Sequence, residues 1–222
     1  MSQAREAYRF EPGQFLALRA TVNGEDVRRS YSISSPRSRL AQAGELEIGI
    51  RPVLGGLFSN WATNSIKVGD KINVMTPDGR FTVRQQRDIH RDGFAAGSGI
   101  TPILSIVASS LEEEPESKFT VVLGNRRMSS VMFNEELQDL KDRYLDGLTL
   151  IHILSSQAQE VDFLQGRIDA DKVRDHRRLP APGQYGGGLH LWPLGHDRID
   201  RKGLGGCRCT HVCVTLGARK RS

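Results

Sequence analysis

Between Gln14 and about Val83 the chain places apolar and polar residues in short alternating or β-rich runs broken by turn residues. The runs are Phe15-Leu-Ala-Leu-Arg19, Arg29-Ser-Tyr-Ser-Ile33, Glu45-Leu-Glu-Ile-Gly-Ile-Arg51 and Lys71-Ile-Asn-Val-Met75. Pro12-Gly13, Asn23-Gly24, Gly55-Gly56 and Asp78-Gly79 punctuate them, as turn residues separate strands. This pattern predicts a small antiparallel barrel or sandwich, with one short helix from Leu57 to Ala62. From about Arg91 the pattern changes. Gly93-Phe-Ala-Ala96 reads as a short buried strand, and Thr101 to Leu111 as a helix with Ile103, Leu104, Ile106, Val107 and Leu111 on one face. A strand at Phe119–Leu123, a helix over Ser130–Tyr144, a strand at Leu148–Leu154 and a helix start within Ile168–Val173 follow. Strand alternating with helix predicts a parallel α/β unit of the nucleotide-binding kind. Three of its strands are visible, so the sheet reads as incomplete.

Residues 175–222 show neither period over a useful length. They hold all three cysteines, four of the six histidines and no Phe. They also carry nine Lys/Arg against three Asp, which leaves the preceding 174 residues at −1 out of the chain's +5. The basic excess therefore belongs to the tail and not to a folded face, which argues against a nucleic-acid surface. This stretch is expected to be disordered or improperly folded. No apolar run approaches the roughly 18 residues of a membrane span, and the N-terminus lacks an apolar signal core. Three cysteines, none before Cys207, exclude a disulfide scaffold and point to the cytoplasm. Cys207-x-Cys-x-His211-x-Cys213 is too tightly spaced for the usual zinc finger or ribbon, so no metal is expected. Asp88, His90, Asp92 and His152 form no nucleophile–base pattern.

Four motifs carry chemistry. Gly97-Ser-Gly-Ile-Thr-Pro102 follows a strand and opens a helix, a setting that brings backbone and helix dipole to an anion. Pro102 fits the first helical turn. Arg29-Ser-Tyr-Ser32 offers a guanidinium for phosphate, a ring for stacking and hydroxyls for hydrogen bonds. Gly55-Gly-Leu-Phe-Ser-Asn-Trp61 is a second glycine turn before a helix, with the Ser59 hydroxyl in reach of a phosphate. Leu123-Gly-Asn-Arg-Arg127 sits at the carboxyl end of a strand, where ligands of open α/β sheets bind, and Asn125 and Arg126 suit a ribose or its phosphate. Each motif alone is also an ordinary turn, strand or strand cap.

Taken in order, these motifs resemble the ferredoxin–NADP+ reductase-like flavoproteins. Phe10-Glu-Pro-Gly-Gln-Phe15 and Pro77-Asp-Gly-Arg-Phe81 match that family too. The resemblance covers about residues 8–174 and is closest to reductase components of multicomponent oxygenases, of the phenylacetyl-CoA epoxidase type. It implies an antiparallel β-barrel FAD domain over 1–88, an incomplete Rossmann-like NAD(P) domain over 89–174, and a non-native tail over 175–222. It implies that Arg29 binds FAD phosphate, that Tyr31 packs on the flavin and that Ser32 lies near N5 as the catalytic contact. Ile50 and Arg51 would border the FAD, and Gly55, Gly56 and Ser59 would hold its pyrophosphate. Gly97, Gly99, Thr101 and Pro102 would line the NAD(P) site, with Asn125 and Arg126 at the adenosine ribose. The implied reaction is hydride transfer from NAD(P)H to FAD and onward transfer to an iron–sulfur acceptor or oxygenase component. NADH and NADPH both remain open.

Three departures qualify the resemblance. The family's first barrel strand is expected to be missing. The spacing of a plant-type iron–sulfur cluster is absent, so no cluster is expected in this chain. The family's Cys-Gly-Pro segment, which completes the nicotinamide site, is absent too. Written in suitable codons and read one base out of frame, Leu189–Asp197 encodes Phe-Ile-Cys-Gly-Pro-Leu-Ala-Met-Ile. A frameshift near Arg174-Asp175 is therefore expected. The alternatives are an inactive remnant of such a reductase and, further off, a nucleic-acid binder acting through the tail.

Overall fold

The computed structural model describes residues 3–83, 90–176, 190–191 and 210–215. It divides into two compact units. Unit 1 comprises 1–84, Leu104–Ser109 and 208–222, and unit 2 comprises 85–103 and 110–207.

Unit 1 begins with a short helix, α1 (Gln3–Ala7). Then β1 (Phe15–Val22) and β2 (Glu25–Ser32) form an antiparallel hairpin in register from Phe15↔Ser32 to Val22↔Glu25. Asn23 and Gly24 both have positive φ, 52° and 84°. That is the turn whose twist matches a two-residue hairpin, and Asn-Gly is the pair that tolerates it. The helix α2 (Arg37–Ala43) ends on Gly44, whose left-handed conformation (φ 73°) directs its N–H to Leu40 O. The strand β3 (Glu45–Ile50) bridges to Ile33 through Ile48, and α3 (Leu57–Ser65) follows. The strand expected over Lys71–Met75 shortens to β4 (Asn73–Val74), which pairs with β1. Leu16, Leu18, Ile33, Leu46, Ile48, Ile50 and Phe58 build the core between these elements, each at most 1% exposed.

Unit 2 carries a parallel sheet. Its strands are β5 (His90–Ala96), β6 (Lys118–Asn125) and β7 (Leu148–Leu154). The helix α4 (Ile100–Glu113) follows β5, with Leu104–Ser109 assigned to unit 1. All five apolar residues expected on one face of α4 are buried, and so are Ser105 and Ser109. The helix expected over Ser130–Tyr144 starts later, as α5 (Asn134–Arg143), after a 3₁₀ turn at Met128–Ser130. Ser130 caps that turn, its Oγ accepting from the Arg127 N–H. Arg91, 1% exposed, is paired with Glu114 at 2.9 Å and lies over the Phe119 ring. The helix α6 (Ala170–His176) closes the described part of this unit.

The stretch 175–222 does contribute regular backbone, contrary to expectation. A two-residue strand, β8 (His190–Leu191), lies parallel to β5 as a fourth strand, and β9 (Thr210–Thr215) lies antiparallel to β3. Each supplies hydrogen-bonding partners to a strand edge that would otherwise present unpaired backbone groups, and Thr-His-Val-Cys-Val-Thr has the β-branched content for it. Most of that stretch, Cys207 and Cys209 included, lies outside the described residues, as does Asp88.

One glycine is indispensable to unit 1. Gly13 has φ +101°, and a Cβ there would fall 1.9 Å from Phe81 O. Gly13→Ala is expected to destabilise unit 1 by roughly 2 kcal/mol or more, since strain and a backbone clash add. Urea denaturation of the two proteins measures this.

Candidate functional site

In unit 1 the candidate residues gather around the start of α3. In the alternation of β2, Val27, Arg29 and Tyr31 share a face. Val27 and Tyr31 join the core cluster, while Arg29 between them is exposed, with its Nη1 donating to Arg28 O at 2.8 Å. The Tyr31 ring is half-buried and stands 5.8 Å from that of Phe58, tilted by 33°. Phe58 in turn meets Trp61 edge-on at 5.4 Å. An aromatic column thus ties β2 to α3. Burial pushes the Tyr31 phenol above its usual range, against an opposing pull from Arg29, so it stays protonated at neutral pH.

The turn before α3 is built around two glycines. Gly55 has φ +74° with open space at its Cβ position, and a Cβ on Gly56 would fall 2.6 Å from Ser59 Oγ. Gly56 N–H closes the turn on Val53 O at 2.8 Å. Ser59 is buried, and its Oγ accepts from the Val53 N–H at 3.2 Å, which leaves its own proton free to donate. Asn60 braces the same turn, with Nδ2 donating to Val53 O at 2.8 Å and to Gly56 O at 2.6 Å. Asn60 lies within the Gly55–Trp61 motif read from the sequence, where only Ser59 suggested a role. The first N–H groups of α3 have no acceptor within the helix, and with the open Gly55 they form a cradle of the kind that takes a phosphate. Ser32 is half-buried at the end of β2, and Arg51 is half-buried beyond β3. Ile50 is fully buried. Its side chain belongs to the core and is not free to border a ligand.

In unit 2, Gly97 opens the turn between β5 and α4 with φ +55°. Gly99 has ordinary right-handed geometry (φ −62°, ψ −12°). Thr101 is buried, its Oγ1 donating to Ser98 O at 2.9 Å. Pro102, also buried, lies in the first turn of α4, where a missing N–H costs little. At the end of β6, the carbonyls of Asn125 and Arg126 accept from the N–H groups of Ser155 and Ser156 at 3.0 and 2.9 Å. Backbone pairing thus fixes this edge, with the Arg126 and Arg127 side chains exposed. At Gly124 a Cβ would approach Ile168 Cδ1 to 2.9 Å, so a larger residue there would push the Ile168 side chain aside.

These two units correspond to two known domain families. Residues 1–83 match the oxidoreductase FAD-binding domain and residues 94–185 the oxidoreductase NAD-binding domain. The chain therefore carries an oxidoreductase FAD-binding domain followed by an oxidoreductase NAD-binding domain, in a ferredoxin–NADP+ reductase-like fold.

It is 45% identical over 174 residues to one component of the 1,2-phenylacetyl-CoA epoxidase of Escherichia coli (77% of this chain, 47% of the relative). It is 36% identical over 175 residues to the ferredoxin reductase component of 3-ketosteroid-9-alpha-monooxygenase from Rhodococcus rhodochrous (77% and 46%). The chain spans about half the length of these curated relatives. Among solved structures, the FAD/NAD-binding domain of nitric oxide dioxygenase from Vibrio cholerae aligns with TM-score 0.61 at 25% identity, covering 72% of this chain and 67% of that one. Ferredoxin–NADP+ reductase from Plasmodium falciparum aligns with TM-score 0.60 at 17% identity (77% and 68%), a likeness of fold. Among the described residues no helix is long and apolar enough to cross a membrane.

One titratable group outside these motifs is shifted. Burial pushes His152, on β7, below its ordinary 6.5. The unfolded chain therefore takes up this proton at a higher pH than the folded chain. As pH falls through about 6.5 the unfolded state binds more protons, and stability drops. His152→Phe is expected to reduce the loss of melting temperature between about pH 7.5 and 5.5, measured by circular dichroism.

Proposed function

We propose that the chain is the reductase portion of a multicomponent oxygenase of the phenylacetyl-CoA epoxidase kind, taking electrons from NAD(P)H through FAD to an iron–sulfur acceptor. The observation that carries this reading is the glycine cradle at α3 beside the half-buried Tyr31. A Cβ would fill the cradle at Gly56, and the free Ser59 proton and the helix N–H groups converge where a pyrophosphate would lie. The residues present fit the cofactor. Gly55, Gly56 and Ser59 hold the pyrophosphate, Arg29 pairs with a phosphate oxygen, and Tyr31 packs its ring on the flavin. Ser32 directs its hydroxyl to the reacting edge, and the Ile50 backbone and Arg51 border the ring system. FAD, when bound, supplies the hydride-accepting centre and releases electrons singly.

In unit 2, Gly97, Gly99, Thr101 and Pro102 receive the nicotinamide nucleotide's pyrophosphate, and Asn125 and Arg126 its ribose. Between Gly124 and Arg127, and between Ser155 and Ala158, stand two arginines and two serines and no carboxylate. An acidic residue at this edge would bind a ribose 2′-hydroxyl, whereas arginine accommodates a 2′-phosphate, so the reading favours NADPH. It puts the activity in the cytoplasm, with an iron–sulfur protein or oxygenase component as partner.

A second reading, an inactive remnant, draws on the loss of the Cys-Gly-Pro segment. It goes with our proposal that the domains divide at 88 and 174 and that a shifted reading frame produces 175–222. Reading the gene tests the frameshift: an open frame with no Cys-Gly-Pro segment in any register rejects it.

An anaerobic visible spectrum of the FAD-incubated chain separates the two functional readings. A retained flavin band that bleaches on NADPH supports the reductase. A retained band that does not bleach puts the defect in the nicotinamide half, and no retained flavin makes the chain a remnant. Gly56→Ala is expected to weaken FAD retention at least tenfold, measured by flavin fluorescence on dilution. In a chain that bleaches, Arg126→Ala is expected to raise the KM for NADPH roughly 10-fold or more, the loss of about 1.4 kcal/mol or more from a charged phosphate contact. The KM for NADH should stay nearly unchanged.

A further inference from the structure

In the unit 1 sheet, ordered β2-β1-β4, β2 is an outer strand. Among the described residues its free side meets another strand only past its end, where Ile33 bridges to Ile48 of β3.

The direction of its free backbone groups follows from the hairpin. Phe15 N–H donates to Asp78 O, and Ala17 O accepts from Met75 N–H. Both residues thus turn their backbone groups away from β2. Their register partners Ser32 and Ser30 turn theirs away from β1, because such pairs alternate along an antiparallel ladder with pairs that exchange hydrogen bonds. Counting on by twos, Arg28 and Asp26 face outward as well. The outward Arg28 carbonyl accepts from its own neighbour's side chain, Arg29 Nη1, at 2.8 Å.

Charges on an outer strand normally keep copies of a protein apart. Here they are arranged to attract. Glu25-Asp-Val-Arg-Arg29 reads acidic, acidic, apolar, basic, basic. Turned antiparallel onto a copy of itself, with Val27 opposite Val27, it sets Asp26 against Arg28 and Arg28 against Asp26. The backbone allows that register, since Asp26 and Arg28 are outward residues that would exchange the ladder bonds. Sliding the strand two residues either way brings Asp26 onto Asp26 or Arg28 onto Arg28, and like charges directly opposite are unfavourable.

The chain also leaves Arg28 in want of a carboxylate. Arg19 stands directly across the hairpin from Arg28. Asp26 serves Arg19, accepting from Nε at 2.8 Å and from Nη2 at 2.7 Å. Arg28 keeps a like charge opposite it, and Asp26 of a second copy would relieve that.

We infer that β2 pairs antiparallel with β2 of a second copy of this chain, about a two-fold axis at Val27. The interface is self-complementary, as two-fold symmetry requires. The ladder covers residues 25–29 and ends short of Tyr31 and Ser32. It does not rest on the reductase reading. Glu25 falls opposite Arg29, which that reading gives to a phosphate, so the test is confined to Asp26 and Arg28.

Sedimentation equilibrium of the full chain over a concentration series measures the association. A dimer is expected, weakened by added salt because its ion pairs are exposed. Asp26→Arg and Arg28→Asp each set like charges across the ladder and should weaken self-association at least about tenfold. An equimolar mixture of the two variants has opposite charges at both positions again and should form a mixed dimer about as tight as the original. The double variant, Asp26→Arg with Arg28→Asp, is self-complementary once more and sets a carboxylate opposite Arg19, so it should regain its own dimer. A parent chain that stays monomeric at every concentration, single variants that associate as the parent does, or a mixture and a double variant that both remain monomeric would each overturn the inference.

Discussion

A helix that begins on a glycine turn leaves N–H groups that the helix itself cannot satisfy. The chain uses this constraint twice, before α3 and before α4. Before α3 the turn needs glycine for two reasons: Gly55 has φ +74°, and Gly56 has no room for a Cβ beside Ser59. Before α4, Gly97 takes a left-handed conformation at φ +55°. The rest of each unit holds these two helix starts rigid. The anion-binding capacity follows from geometry that side chains would obstruct.

Rigidity is supplied differently in the two units. In unit 1 the hairpin and β3 bury an aliphatic core, and the Tyr31–Phe58–Trp61 column joins the sheet to α3. Asn60 then locks the turn by donating twice to its carbonyls. In unit 2 the parallel strands β5 and β6 are largely buried, and the polar groups at the far end of the sheet are paired. Arg91 is neutralised by Glu114 and covered by Phe119. Such a pair contributes little net stability, but removing one partner is costly. It fixes the beginning of β5, and so the position of Gly97 at its end.

A cleft beside β7 follows from the same topology. An edge strand of a parallel sheet has a flank that only a loop covers, and here Lys172 pins the loop by donating to Phe163 O at 2.6 Å, without filling the space. His152 is left with its Nδ1 sealed from solvent and without a partner among the described residues.

The elements with strong local signals were legible in the sequence. Asn23-Gly24 marked a turn, because few other pairs adopt two positive φ values. The apolar spacing of Ile103 to Leu111 predicted α4, and the order of the glycine motifs led to the FAD- and NAD-binding class. Tertiary structure decided what local pattern leaves open. It shortened the strand at Lys71–Met75 to two paired residues and delayed α5 behind a capped 3₁₀ turn. It turned Ile50 into the core, where alternation could not say which neighbours would cover it. It paired His190–Leu191 and Thr210–Thr215 with strands far away in sequence, because an open sheet edge accepts backbone partners whatever their side-chain pattern. It also gave Asn60 its task, since the two carbonyls it binds converge only after the turn has formed. Sequence carries the conformational preferences of single residues and short spacings, while burial and convergence depend on which distant surfaces meet.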